Sequence, residues 1–277
     1  MRMFRLALAQ IDVTVGDLDE NSKKILEYID EAKNMKADLI AFPEMVLPGS
    51  PPEALLFKSQ FIQENLMHLE HIASQTEDIV VVLGFIDLDS DVHNAAAVLY
   101  DGKIRDIYHK MFLPNYGVFD EDRYFKSGTK CPTYVVNGTS VGINICEDIW
   151  HSAGPTIVQR SNGAEIIVNL NGSPFDLGKQ KLRKNMLRAR ATDNGLFVAY
   201  VNLVGGQDEL VFDGGSMIID PEGEVVCASP QFKEDLLVAD LDVESVFRSR
   251  VRDPRARKVR AKTLEEIGTA VEMQISE

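Results

Sequence analysis

The sequence predicts a single large α/β domain in which sheets are covered by helices in layers. Three observations carry this. The chain has 277 residues, 45% of them hydrophobic, enough to bury one sizeable core. Apolar runs of strand length are mixed with amphipathic stretches of helix length, and hairpin signals fall among them. The run Ile79 to Ile86 lacks polar alternation, the pattern of a strand covered on both faces.

The elements follow in order. Residues 4–11 form a first buried strand. The basic start and short apolar run at the N-terminus lack the longer stretch and small-residue cleavage site of a signal peptide. Asp17 to Lys36 is an amphipathic helix, with Ile25, Ile29 and Ala32 on one face and Asp19, Asn21 or Ser22 as its cap. Asp38 to Phe42 is a short strand that Pro43-Glu44 ends. A proline-rich corner, Pro48 to Pro52, precedes a helix over 53–75. Asn94 to Tyr100 and Ile104 to Tyr108 flank the turn Asp101-Gly102-Lys103. Tyr134 to Val136 and Thr139 to Cys146 flank Asn137-Gly138, a strong hairpin signal. A helix near 152–162, a strand at Glu165 to Leu170 and a basic helix at about 178–194, stopped by Asn194-Gly195, come next. Strands are expected at 196–203, 210–219, 224–228 and 235–241, with Asp220-Pro221-Glu222-Gly223 as a turn.

Charge and cysteine usage remove several function classes. A formal net charge of −14 argues against a general nucleic-acid or membrane-surface binder, since both need basic patches. No apolar run reaches the roughly 18 residues of a membrane span. Three cysteines give no disulfide framework, which points to a reducing cytoplasm, and Cys131 and Cys227 have no metal-ligand spacing, so neither metal nor cofactor is expected.

The chemistry centres on Val141-Gly142-Ile143-Asn144-Ile145-Cys146-Glu147-Asp148. An apolar strand ends abruptly in a thiol followed by two acids, a way to present a nucleophile at a sheet edge. The competing reading is a buried structural cysteine. Two further stations favour the nucleophile. Phe42-Pro43-Glu44 puts a carboxylate just past a strand, and Lys110 ends another strand before a loop rich in aromatics, Pro and Gly. Together these supply what amide cleavage needs. The thiolate attacks, but an unperturbed cysteine titrates near ~8.5 and is mostly protonated at neutral pH. An ammonium beside it is expected to favour the thiolate and to hold the tetrahedral oxyanion. A carboxylate can take the thiol proton, give it to the leaving amine and then activate water. A histidine base at His109 or His151 is disfavoured: His109 neighbours Lys110 on a strand and should point to its other side, and His151 lies in a loop. Gly205-Gly206-Gln207-Asp208 lacks the Lys and Ser/Thr of a phosphate cradle and reads as a bulge or turn.

The order Glu44, Lys110, Cys146, each at a strand end, resembles the nitrilase or carbon–nitrogen hydrolase superfamily. Longer stretches sharpen the resemblance: Leu113 to Glu121, Ile145 to Trp150, Asn171-Gly172-Ser173-Pro174-Phe175 and Val204 to Ser216 look like the glutaminase domains of glutamine-dependent NAD synthetases, over residues 4 to about 255. The resemblance implies a four-layer α-β-β-α sandwich and the hydrolysis of glutamine through a γ-glutamyl thioester on Cys146. It implies Glu44 as general base, Lys110 with the backbone N–H of Glu147 as oxyanion donors, and Glu121 as the group that orients Lys110. Tyr116, Phe119, Glu147, Ser173 and Lys179 match positions that hold the amino-acid end of glutamine; Glu147 would pair the α-ammonium, and Ser173 with Lys179 the α-carboxylate. Tyr116 and Phe119 also read as packing aromatics, and Lys179 as the start of a basic helix. A homo-oligomer is implied as well.

A carbon–nitrogen hydrolase domain is expected at 1–242, and a change in composition marks a basic C-terminal extension or linker at 243–277. In the latter Arg248, Arg250, Arg252, Arg255, Arg257, Lys258, Arg260 and Lys262 crowd together opposite Asp253 alone, as a solvated or neutralising tail or as a docking arm. The ATP-pyrophosphatase loop of the synthetases' second domain is absent from the sequence. The expectation is therefore a partner, a separate or fused NAD synthetase domain, with a stand-alone amidase acting on another small amide as the alternative.

Overall fold

The computed structural model describes residues 2–252 and 261–276. The chain begins with β1 (Met3–Gln10), α1 (Leu18–Asn34), β2 (Leu39–Ala41), α2 (Ser59–Ser74), β3 (Val80–Asp89), β4 (Asp91–Tyr100) and β5 (Lys103–His109). β6 (Lys130–Val136), β7 (Thr139–Ile145), α3 (Pro155–Ser161), β8 (Ile166–Asn171), α4 (Lys179–Asn194) and β9 (Phe197–Asn202) follow. The remainder is β10 (Val204–Gln207), β11 (Leu210–Asp213), β12 (Met217–Ile219), β13 (Val225–Ala228), β14 (Asp235–Asp242), α5 (Glu244–Arg252), α6 (Ala261–Ile267) and β15 (Thr269–Gln274).

Two sheets are stacked between helices. The first runs β14-β1-β2-β3-β4-β5 and the second β13-β12-β9-β8-β7-β6-β15. The two-residue side-chain period of strands assigns the layers. On β1, Phe4, Leu6 and Leu8 face a central core shared with Val141, Ile143 and Ile145 of β7. Ala7 and Ala9 face the other way, toward Ile25, Ile29 and Ala32 of α1 and Ile62, Leu69 and Ile72 of α2. On the far side, Ile167, Val198 and Ile219 meet Leu187 and Ala191 of α4. The architecture is therefore the α-β-β-α sandwich. β3 is buried from Val80 through Asp87, which explains its missing alternation.

Several boundaries differ from expectation. Asp17, rather than Asp19, Asn21 or Ser22, caps α1, accepting from Glu20 N at 3.2 Å. Asn21 is instead a buried tie, donating to Thr14 O at 2.8 Å and Leu47 O at 3.0 Å. The helix expected over 53–75 is a tight turn, Glu53–Phe57, and α2, separated by Lys58 in an extended conformation. The strand expected over 210–219 is two strands. Gly214 and Gly215, at φ of 67° or less, break it, and β11 folds back on β10 as a hairpin around Asp208-Glu209. The helix near 152–162 is the shorter α3.

The segment 243–277 is not one extension. β15 pairs in parallel with β6 at the edge of the second sheet, so that sheet extends past the expected boundary at 242. α5 lies before it, where Arg248 bonds Asp242 at 2.7 Å. Asp253, Arg255, Arg257, Lys258 and Arg260 of the basic cluster lie outside the described residues. Among the described residues no helix is long and apolar enough to cross a membrane.

Candidate active site

The topology brings three strand ends to one edge. β2 runs parallel to β3, β3 is antiparallel to β4, and β4 is antiparallel to β5, so β2 and β5 end on the same side. Glu44 follows β2 and Lys110 follows β5. In the facing sheet, β7 and β8 run parallel and deliver Cys146 and the Gly172-Ser173 corner. Gly84 on β3 is needed for this. A Cβ there would lie 2.4 Å from Met45 N and 2.7 Å from Glu44 Cα, so only glycine lets the Glu44 loop cross the strand.

Lys110, Glu44 and Glu121 form a buried cluster. Lys110 Nζ donates to Glu44 Oε1 at 2.7 Å and to Glu121 Oε1 and Oε2 at 2.7 and 2.9 Å. The Lys110 side chain is fully buried. Burial alone would push its ammonium down, but Glu121 and then Glu44 outweigh this and hold it well above the ordinary lysine range. Burial pushes the Glu121 carboxyl up to about 7, with Lys110 opposing and Glu44 adding to the rise. Asn94 donates to both carboxylates, at 2.7 Å to Glu44 Oε1 and 3.3 Å to Glu121 Oε2. Glu44 Oε2 accepts the backbone N–H of Gly172 at 2.9 Å. Both Glu44 oxygens are thus fixed, one to each sheet.

Cys146 opens a tight turn, Cys146–Ile149, at φ 42°, a left-handed conformation sparsely used by non-glycine residues. The Lys110, Glu44, Glu121 and Glu147 charges all act on its thiol. Lys110 favours the thiolate as expected, but other causes outweigh it. Burial raises the thiol well above its ordinary range, Glu44 adds to this, and Lys110 only opposes it. The reason is visible in the contacts: the ammonium is already shared between two carboxylates. Burial and the nearby carboxylates thus favour the neutral form of the Cys146 thiol.

The remaining expected residues sit around this centre. Tyr116 OH donates to Glu147 Oε2 at 2.7 Å, and the Phe119 ring meets Tyr116 edge-on at 6.2 Å. Tyr116 is 59% exposed, at the rim. Ser173 is buried, its backbone N–H held by Asn202 Oδ1 at 2.9 Å. Lys179 is the first residue of α4; burial and then Arg183 lower its ammonium. His109 does face away from the cluster, bonded to Asp87 at 2.7 Å and stacked on His93. His151 stacks on Phe112 with its Nε2 3.4 Å from Glu147. A cavity of about 310 Å³ opens beside the carboxylates, lined by Glu44, Asn94, Phe119, Glu121, Gly172 and Phe212 among others.

Residues 5–250 match the sequence profile described as carbon-nitrogen hydrolase. The chain belongs to the carbon–nitrogen hydrolase family. It is 45% identical over 260 residues to the glutamine-dependent NAD(+) synthetase of Thermotoga maritima, covering 93% of this chain and 45% of that protein. The corresponding protein of Aquifex aeolicus is 46% identical over 258 residues, with 92% and 45% coverage. The chain thus spans about half the length of these relatives. The glutamine-dependent NAD+ synthetase structure from Acinetobacter baumannii superposes with a TM-score of 0.85 at 38% identity, over 88% of this chain and 47% of that one. A carbon-nitrogen hydrolase from Helicobacter pylori G27 has the same fold, with a TM-score of 0.83 at 22% identity, over 96% and 98% of the two chains.

Sequence reasoning missed two groups that shape this family site. Asn94 is one; it lies inside a strand, where nothing distinguishes it from a surface asparagine. Asp148 is the other. Its buried carboxylate accepts Tyr108 OH at 2.6 Å and Ile145 N at 3.0 Å on one oxygen, and Met111 N at 3.1 Å and Phe112 N at 2.9 Å on the other. It ties the cysteine turn to the loop after Lys110. Burial pushes its carboxyl up to about 6, with these bonds opposing. The signal was an acid two residues past an apolar strand, which nothing on the solvent side requires. Asp148→Asn turns one acceptor into a donor facing donors. It should cost about 2–3 kcal/mol of stability, the scale of leaving buried donors unpaired, and lower kcat as well. Urea unfolding together with steady-state kinetics checks this, and an unchanged unfolding midpoint would refute it.

Proposed function

We propose that the chain hydrolyses the side-chain amide of L-glutamine to glutamate and ammonia through a thioester on Cys146. The observation that carries the reading is the Glu44–Lys110–Glu121 cluster, whose charges act on the buried Cys146 thiol. Glu44 takes the thiol proton as Sγ attacks the amide carbon. Lys110 has three N–H donors; with one on Glu44 and one shared by the Glu121 oxygens, the third is available to the oxyanion, alongside the backbone N–H of Glu147. As the tetrahedral intermediate collapses, Glu44 gives the proton to the leaving nitrogen and ammonia departs, leaving the γ-glutamyl thioester. Glu44 then takes a proton from water, the hydroxide attacks the thioester, and the proton returns to Sγ as glutamate leaves. Glu121 keeps Lys110 in place throughout.

In this reading Glu147 and Tyr116 receive the α-ammonium of glutamine, Ser173 and Lys179 the α-carboxylate, and Phe119 lines the approach. The names of the relatives and the half-length coverage support a further step, in which ammonia is passed to an NAD synthetase domain, separate or fused. A homo-oligomer and a cytoplasmic location belong to the same reading; light scattering coupled to size exclusion tests the first.

The deciding assay is ammonia release from L-glutamine against a panel of small amides, with and without a synthetase chain. Release that is fastest with glutamine and rises with the synthetase is the expected result. Fast turnover of a different amide, with glutamine poor, would replace this reading by that of a stand-alone amidase.

A further inference from the structure

Arg183 is among the largest fully buried side chains in the protein, one turn along α4 from Lys179. Its Nη1 donates to Asp213 Oδ1 and Oδ2 at 2.8 and 2.9 Å, and its Nη2 to the carbonyls of Ser173 and Pro174 at 3.0 and 2.9 Å. Asp213 is 1% exposed and also accepts Gln231 Nε2 at 2.6 Å. One guanidinium therefore joins three pieces of chain: the corner after β8, the first turns of α4, 9 and 10 residues from the bonded carbonyls, and the end of the β10–β11 hairpin, 30 residues on. The hairpin is held to the same corner by Phe175 N on Val211 O at 2.6 Å.

We infer that the Arg183–Asp213 pair is a positioning clamp that sets the spacing between Ser173 and Lys179, and so selects substrates carrying an α-carboxylate. The inference rests on the glutaminase reading above. Ser173 lies on the corner and Lys179 on the helix; each belongs to a separate segment, and a carboxylate bound between them needs a fixed distance. Arg183 spans that gap by a planar fork, which a lysine could not reproduce. Asp213 neutralises the guanidinium, leaving the half-buried Lys179 with no carboxylate bonded to it among the described residues and available to an incoming anion. Pro174 O has Arg183 as its one hydrogen-bond donor among the described residues. Ser173, in contrast, is also held by Asn202, whose Oδ1 accepts its N–H at 2.9 Å and whose Nδ2 donates to its carbonyl at 3.1 Å. Removing the clamp should therefore loosen the helix against the corner, while Gly172 stays on Glu44 and the cysteine chemistry persists.

The test compares L-glutamine with γ-aminobutyramide, which is glutamine without its α-carboxylate. Removing one partner alone leaves a buried charge and invites misfolding, so the main variant is the double replacement Arg183→Met with Asp213→Leu. Such apolar replacements of buried ion pairs usually fold. The single variant Arg183→Lys is the second probe. Circular dichroism and thermal melting establish that each is folded. The expected result is a fall of about tenfold or more in the kcat/KM ratio of glutamine to γ-aminobutyramide, the scale of one charge-assisted contact, expressed in the KM for glutamine. Turnover of γ-aminobutyramide should stay within about threefold of wild type. Equal losses on both substrates would show a structural role only and overturn the clamp; so would an unchanged ratio in a folded double variant. A wild-type enzyme that does not prefer glutamine to γ-aminobutyramide would overturn the glutamine reading and this inference together, whereas a wild-type preference that survives in the double variant overturns the clamp alone.

Discussion

Replacing Cys146 with alanine is expected to abolish turnover, by about 10⁶-fold in kcat if loss of the nucleophile follows the pattern of other covalent hydrolases. The fold should survive, because the side chain removed is small and the turn that carries it is held by Asp148 rather than by the thiol. Acid-quenched mass spectrometry should show a γ-glutamyl adduct on the wild-type chain incubated with glutamine and none on the variant. Hydrolysis within tenfold of wild type by Cys146→Ala would remove Cys146 from the mechanism. The same residue carries an electrostatic expectation. Burial and Glu44 raise the thiol above its ordinary range, so the rate of alkylation of the resting enzyme should have its midpoint above ~8.5. A midpoint at neutral pH would mean that Lys110 wins over burial, against the arrangement described here.

Lys110→Met is expected to have the second largest effect, on both rate and stability. The ammonium is bonded to two carboxylates, the buried Glu44 and the largely buried Glu121. Its removal should lower kcat by about 100-fold or more, as for an oxyanion donor, and cost about 3–5 kcal/mol, as for a broken buried ion pair. The loss should depend on pH. Glu121 is already pushed up to about 7 from an ordinary 4.5, and losing its cation pushes it further. A carboxyl raised in the folded state contributes stability that is fully present below its unfolded value and lost as pH rises through its folded value. The gap between wild type and variant should therefore widen from pH 5 to pH 8 in urea unfolding. A gap that narrows over that range would refute the account of the cluster.

Much of the site was legible in the sequence because its chemistry is tied to strand ends. Glu44, Lys110 and Cys146 each follow an apolar run, and local pattern alone says where such a run stops. Glu121, Ser173 and Lys179 were not legible in that way. They sit on loops or at a helix start, and only a resemblance over longer stretches singled them out. Asn94 and Arg183 were missed altogether: one is an asparagine in a strand, the other a basic residue in a basic helix. A buried polar group differs from an exposed one only by what surrounds it, and that is decided by residues far away in sequence.

The fold divides in the same manner. Period-two alternation and turn chemistry placed nearly every strand, since both act over a few residues. They could not show that Gly214-Gly215 splits one apolar run into a hairpin arm and a sheet strand, nor that Thr269–Gln274 joins the second sheet, because strand pairing is a long-range contact. By itself the sequence determined the layered α/β class, the order of the strand ends and three candidate site residues, Glu44, Lys110 and Cys146. The tertiary structure alone decided which way the thiol's pKa is moved. A lysine near a cysteine lowers its pKa in isolation; here the ammonium is shared between Glu44 and Glu121 inside a buried site, and desolvation prevails.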